Sequence, residues 1–348
     1  MIQSAKDLYE GLKHIKIGGS TCVYSKEKCE ELFPYITEIN ELKKKNNAII
    51  LAHSYVTPEI IHSVADFVGD SYELSKKAKE TNATTIIFAA VKFMAETAKI
   101  LNPKKYVYFP SMTNGCSLAD SITGDDVRTL RKKYPDYTFV CYINTTADVK
   151  AECDVCVTSS NVYKIIETIE NENIVFLPDN LMGKNLIDHC KKNKIKKNII
   201  LWNGTCYVHE EYDPDMIKFI KNEYKNVEVV SHPECHPNIL ALSDYVGSTA
   251  QMMNYVKETK APSYFMLTEC GLTTRLKLEN PSKNFVGSCT ICKYMKANNL
   301  KNILEVLKNK TETHEIKLDK TISKKAKYAI DNMFKYVDLA SKKRQTQC

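Results

Sequence analysis

Six polar side chains fall into three pairs, each two positions apart at the end of an apolar run: His53 and Tyr55, Tyr142 and Asn144, His232 and Glu234. Imidazole, phenol, amide and carboxyl groups grouped in this way suit proton transfer and the holding of anions. Cysteines form a second set. Cys116, Cys206 and Cys292 each follow a short apolar run in a loop with glycine nearby, as in N-G-C-S-L-A-D and W-N-G-T-C. Three soft thiolates drawn to one axis suit an iron–sulfur cluster. With three protein thiolates for four irons, one iron keeps an open position, which means Lewis-acid chemistry more than electron transfer. Purely structural cysteines are the competing reading, and Cys289 competes with Cys292 for the third place. Hydroxyls form a third set: Ser71, Ser159, Ser160, Ser248 and Thr249 stand at three equivalent helix starts. There they cap helices and would also cradle carboxylates and phosphate. Phe93, in V-K-F-M-A-E-T, reads first as core and second as cavity wall.

A threefold repeat positions these residues. An apolar strand reads A-I-I-L-A-H-S-Y from Ala48, Y-T-F-V-C-Y-I-N from Tyr137 and V-E-V-V-S-H-P-E from Val227. About a dozen residues later come A-D-F-V-G-D-S, C-D-V-C-V-T-S and S-D-Y-V-G-S-T, each leading into a helix-like stretch. Asp66, Asp154 and Asp244 each precede a hydroxyl residue by five positions, and they lie 88 and 90 residues apart. A second strand starts at Thr85, Asn173 and Ser263, and a third at Lys105, Lys197 and Lys283 leads into the cysteine loop. The cysteines are 90 and 86 residues apart, close to the aspartate intervals. Short apolar strands alternating with helices indicate parallel sheets covered on both faces, hence three α/β layers about a pseudo-threefold axis. Each layer is too small to be comfortable alone, so mutual packing is expected.

The expected organisation is lead-in helices over 1–45, repeats over 46–125, 126–215 and 216–302, and a helical segment over 303–348. Within the last, Thr321 to Arg344 has apolar residues at helical spacing and is expected to pack on a flank. Cys153 and Cys156 form a C-x-x-C, but their repeat equivalents are Ala65 and Val68, then Ser243 and Val246. They read as small buried fillers and not as zinc ligands.

The composition narrows the class. The chain has 348 residues, 43% of them apolar, with only 11 Gly and 11 Pro, which excludes disorder and collagen-like order. A net charge of +7 spread over solvated lysine runs carries no argument for nucleic acid. No apolar run approaches the roughly 18 residues needed to span a bilayer, and the polar start lacks the core of a secretion signal, so a cytoplasmic protein is expected. Thirteen cysteines in such a compartment argue against a disulfide framework, and an odd number cannot all pair within one chain.

The motifs H-S-Y-V-T-P-E-I, F-M-A-E-T-A-K-I-L-N-P, G-C-S-L-A-D, Y-I-N-T-T-A-D-V-K-A, L-P-D-N-L-M-G, W-N-G-T-C-Y-V-H-E, S-H-P-E-C and C-x-x-C-K-Y-M-K occur in this order between Leu51 and about Leu307. In these the sequence resembles the quinolinate synthase family. The resemblance implies three Rossmann-like α/β/α domains around a central active site, with a 4Fe–4S cluster on Cys116, Cys206 and Cys292. It selects Cys292 over Cys289 because the family's ligand stands just before the aromatic–Met pair, here Tyr294 and Met295 with Lys293 between. It implies condensation of iminoaspartate with dihydroxyacetone phosphate, in the biosynthesis of NAD, with loss of phosphate and two waters. An aspartate oxidase or an aspartate dehydrogenase would supply the imine. It also places His53, Tyr55, Tyr142, Asn144, Ser159, His232, Glu234, Ser248 and Thr249 on the substrate site, with Ser71 and Phe93 beside them. Glu234 and His232 are then the proton-transfer candidates, with His53 and Tyr55 acting from the opposite wall. Val56 stands where the family commonly has Gln, and Asn114 replaces a usual small residue before Gly115. Another 4Fe–4S hydro-lyase, or a non-catalytic iron–sulfur sensor on the same scaffold, is the alternative. A disulfide between Cys289 and Cys292 that releases the cluster on oxidation is a further expectation.

Overall fold

The computed structural model describes residues 2–17 and 21–345. The extreme ends of the two flanking segments, residue 1 and residues 346–348, lie outside the described residues, as do residues 18–20. Among the described residues, twelve parallel strands form three four-stranded sheets. The first sheet takes Ala48–His53, Phe67–Gly69, Thr85–Ala89 and Tyr106–Tyr108. The second takes Thr138–Tyr142, Val155–Val157, Asn173–Leu177 and Asn198–Leu201, and the third Val227–Ser231, Tyr245–Val246, Ser263–Leu267 and Asn284–Val286. In each sheet the spatial order is second, first, third, fourth strand. The winding therefore reverses between the first and third strands, and a ligand crevice opens beyond their carboxyl ends. The two central strands are apolar on both faces: Ile50, Ile86, Val140, Val175, Val230 and Phe265 are fully buried. Helices on both sides of a parallel sheet require this.

Each repeat holds four strands where the sequence reading counts three. The additional strand lies in the middle of A-D-F-V-G-D-S and its two counterparts, and is only two or three residues long. A strand that short cannot display alternation. What keeps it in the sheet is the repeated aspartate just before it. Asp66 Oδ2 accepts the Ile50 N–H (2.8 Å), Asp154 Oδ2 the Phe139 N–H (2.7 Å) and Asp244 Oδ2 the Val229 N–H (2.8 Å). In return, the three aspartate N–H groups donate to the carbonyls of the same residues, Ile50, Phe139 and Val229, at 2.9, 2.9 and 2.8 Å. A cation from the helix preceding each sheet closes the arrangement: Lys43 (2.8 Å), Arg131 (2.8 Å) and Lys221 (3.1 Å). The aspartates that mark the repeat are thus structural staples. Asp154→Ala should cost about 1–2 kcal/mol, because a charge-assisted bond is lost while its ion pair is partly exposed and screened. A lower urea midpoint with unaltered substrate affinity is the expected measurement.

The flanks are largely helical: Ala5–Leu12 and Lys26–Lys45, separated by the antiparallel pair Lys16–Ile17 and Thr21–Cys22, precede the first sheet, and Leu300–Asn309 and Lys320–Gln345 follow the third. The last helix buries Ala326, Ala329, Ile330 and Met333. It packs on the second sheet, against Val155–Val157 and the short helix Ala147–Ala151, and Asn332 Nδ2 donates to Asp154 O at 2.8 Å. Among the described residues no helix is long and apolar enough to cross a membrane.

Candidate active site

The carboxyl ends of the three sheets meet at one cavity with ≈ 630 Å³ of atom-free space, part of it open to solvent. His53, Tyr55, Ser71, Phe93, Tyr142, Asn144, Ser159, His232, Glu234 and Thr249 all line it. Strand alternation is not what aligns the pairs. His53 and Tyr142 end their strands, but Tyr55, Asn144, His232 and Glu234 lie beyond them in the turns. Local bonds set those turns. His53 Nδ1 accepts the Tyr55 N–H (3.2 Å), and His232 Nδ1 accepts the Glu234 N–H (3.3 Å). With Nδ1 accepting, each neutral ring carries its proton on Nε2. Burial lowers both imidazoles to about 3, helped at His53 by Arg275 and Lys296 and at His232 by His209. Both rings are therefore uncharged at neutral pH.

One run of hydrogen bonds crosses the cavity and draws on all three sheets. The Tyr142 hydroxyl donates to Glu234 Oε1 (2.6 Å), and Glu234 Oε2 meets His209 Nδ1 (3.1 Å). His209 Nε2 meets Thr268 Oγ1 (3.2 Å), which bonds the Tyr55 hydroxyl (2.8 Å), and that hydroxyl accepts from Thr249 Oγ1 (3.0 Å). Burial opposes charge on Glu234, but His209, His232 and the Tyr142 hydroxyl hold its carboxyl down, to about 2. The same burial pushes the Tyr55 and Tyr142 phenols well above their ordinary values, so both remain donors. Ser248 stands behind the wall. It caps the helix Thr249–Glu258, and its Oγ donates to Asp70 Oδ2 (3.2 Å), itself the cap of Ser71–Glu80.

The three cysteine loops are built alike. An N–H at the start of the helix after the third strand donates to a carbonyl two residues before the cysteine: Lys92 to Asn114 (2.8 Å), Asn180 to Gly204 (2.7 Å), Cys270 to Thr290 (3.0 Å). Each cysteine carbonyl then accepts from the residue four positions on, Asp120, Glu210 or Lys296, opening a helical turn. Cys116, Cys206 and Cys292 are thereby equivalent, and all line the cavity. Burial raises all three thiols, Cys116 to about 12, while backbone N–H groups of Leu118 and Ala119, Val208, and Tyr294 and Met295 face their sulfurs. Cys116 lies near enough to Cys292, and Cys206 to Cys116, for each charge to disfavour the other. Half-buried and close enough for their thiolates to disfavour one another, the three sulfurs form a soft donor set suited to a cationic group.

Cys289 belongs to a different arrangement. It forms a disulfide with Cys270, so the expected Cys289–Cys292 bridge is not formed. The Cys270 N–H bond to Thr290 brings residue 270 beside Cys289, while Cys292 has already turned toward the cavity.

His209, Glu269 and Asp70 also line the cavity and are absent from the sequence reading. His209 follows Cys206 by three residues in W-N-G-T-C-Y-V-H-E; Cys206 Sγ, a His209 nitrogen and a Glu234 oxygen lie within 4.8 Å of one another. Glu269, fully buried, accepts the N–H groups of Cys292 (3.1 Å) and Gly271 (2.6 Å) and pairs with Lys296 (3.0 Å). Gly271 lets this helix start approach the first sheet, since a Cβ there would sit 2.7 Å from Tyr55 Cα. A signal for Glu269 existed: Asp179 stands 90 residues earlier at the same helix-cap position.

Three doubly wound sheets around one cavity, each lending a cysteine and a polar strand end, define a pseudo-threefold α/β protein with a thiol-lined site. Residues 37–335 match the family described as quinolinate synthetase A protein. The chain is 44% identical over 312 residues to quinolinate synthase of Aquifex aeolicus, covering 87% of this chain and 94% of that one. It is 42% identical over 300 residues to quinolinate synthase of Sinorhizobium fredii (86% and 82% covered), and 42% over 298 residues to that of Xylella fastidiosa (86% of each). The chain belongs to the quinolinate synthase family of enzymes.

Proposed function

We propose that this protein condenses iminoaspartate with dihydroxyacetone phosphate to give quinolinate, phosphate and two waters, as a cytoplasmic step in NAD biosynthesis. The observation that carries this reading is the equivalence of Cys116, Cys206 and Cys292 around a cavity that also holds the run from Tyr142 to Thr249. These three cysteines fit a 4Fe–4S cluster: three soft donors, one per sheet, with no fourth cysteine on the cavity wall among the described residues. When bound, such a cluster supplies an open Lewis-acid position. The protein's own groups supply the rest. Glu234, ionised and braced by Tyr142 and His209, takes a proton from a carbon or nitrogen of the bound reactants. Neutral His53 and His232 present Nε2–H groups, and Tyr55 an O–H, as donors toward departing hydroxyls. Ser71 and Thr249, each the first residue of its helix, hold carboxylates and phosphate together with Asn144 and Ser159, which lie in turns, the helix after Ser159 starting only at Val162 with Asn161 before it.

Thr249→Ala should raise the KM for the phosphorylated substrate about ten- to a hundredfold, the worth of one hydrogen bond to a charged group. Iron content should stay unchanged; a fall in iron with an unaltered KM would contradict the assignment. The overall reading is tested by incubating reduced, anaerobic protein with both substrates and assaying quinolinate, whose absence would sink it. Because the imine is unstable, an aspartate-oxidising enzyme must supply it close by.

A further inference from the structure

The proposed reactants carry two carboxylates and a phosphate, yet among the described residues the cavity wall contains no Lys or Arg, while Asp70, Glu234 and Glu269 are on it. Positive charge must come from behind the wall. Lys92 and Lys293 adjoin wall residues but are exposed; three less exposed cations stand behind it. Lys296 is bound to Glu269 (3.0 Å) and Arg275 to Glu279 (2.7 Å), so each is largely neutralised locally. The third, Lys150, is fully buried and, among the described residues, has no carboxylate within ion-pair distance. Its ammonium donates to the carbonyls of Ile143 (2.9 Å) and Thr145, on either side of Asn144, and lies 5.4 Å from the centroid of the Phe93 ring. Asn144 and Phe93 both face the cavity. The other neighbours are the sulfurs of Cys141, Cys153 and Cys156, where, against its burial, hydrogen bonds from Cys153 and Cys156 and the Lys150 charge pull Cys141 below its ordinary value, and Glu96, whose carboxylate is engaged by the Ala147 N–H (2.8 Å).

We propose that Lys150 is a positioning residue that fixes the Asn144 turn and lends the cavity the positive field with which it holds a doubly charged anion. This rests on the reading of the cavity as a site for anionic reactants. A buried charge acts at low effective dielectric and is hardly screened, so a cation one residue layer away still discriminates a dianion from a monoanion. The ammonium also polarises the Ile143–Asn144 peptide, whose N–H belongs to Asn144, making that group a stronger donor.

The test uses the anaerobically purified full chain and two ring acids, pyridine-2,3-dicarboxylate and pyridine-2-carboxylate, with affinities measured by calorimetry. Lys150→Gln keeps a donor near the two carbonyls but removes the charge. It should weaken the dicarboxylate about tenfold and the monocarboxylate only about threefold, and Lys150→Arg should restore the ratio to within about twofold. Glu96→Gln, which removes a nearby carboxylate without touching the cavity, should tighten the dicarboxylate about two- to fivefold. A purely structural lysine would lower both affinities equally, and that result in Lys150→Gln overturns the proposal. Should Lys150→Gln not fold, Glu96→Gln decides alone, and an unchanged ratio there overturns it. Wild-type protein that binds neither acid would remove the anionic-site reading and this role with it; wild-type binding with unresponsive variants removes only the role of Lys150.

Discussion

Glu234→Gln is expected to lower turnover by about 10²–10⁴-fold, the range for loss of a positioned general base, while iron and sulfide content match the wild type. Gln keeps the length of the side chain and an oxygen for the Tyr142 hydroxyl, so the wall should not collapse. What it loses is the negative charge that faces His209 at 3.1 Å and the capacity to accept a proton. With an amide N–H facing His209 Nδ1, the run toward Tyr55 loses the acceptor at its head and its bonds from His209 onward reverse direction, while Tyr142 keeps its proton and its partner. Steady-state kinetics with iron analysis on the same preparation separates the possibilities. If iron falls in parallel with turnover, Glu234 serves the inorganic site beside Cys206 and not proton transfer, which their closeness makes a real alternative.

The second large effect concerns the sulfurs. Cys116→Ser, Cys206→Ser and Cys292→Ser should each abolish the visible absorption of an iron–sulfur protein and reduce quinolinate formation to background. Each supplies one donor of a set with no spare on the cavity wall among the described residues. Cys289→Ser and Cys270→Ser should retain both, because their sulfurs bond to one another. The three losses should be alike, since the three loops share one hydrogen-bond plan. A Cys292→Ser protein with full iron, or a Cys289→Ser protein without any, would break that equivalence.

Cys116, Cys206 and the strand-end pairs are legible in the sequence because the repeat keeps its spacing, whereas Cys292 is separated from Cys289 only by the family resemblance. The repeated aspartates are legible as markers, but their work is not. Bonding an N–H some fifteen residues back in the chain, as Asp154 does at Phe139, is a tertiary event. The short strands, such as Tyr245–Val246, escape notice because pairing and not pattern creates them. His209 is missed because its importance comes from Thr268 and Glu234, 59 and 25 residues away. The Cys270–Cys289 bridge is missed because neither member has a cysteine counterpart in the other repeats.

The run of bonds from Tyr142 to Thr249 takes its links from both the second and the third sheet, and passes through Tyr55 of the first. A polypeptide truncated after the second repeat, near residue 215, would hold two of the three sulfurs and neither His232 nor Glu234. Competence therefore arrives only when the last sheet leaves the ribosome and docks. Partial products of synthesis or proteolysis would be inert, not feebly active.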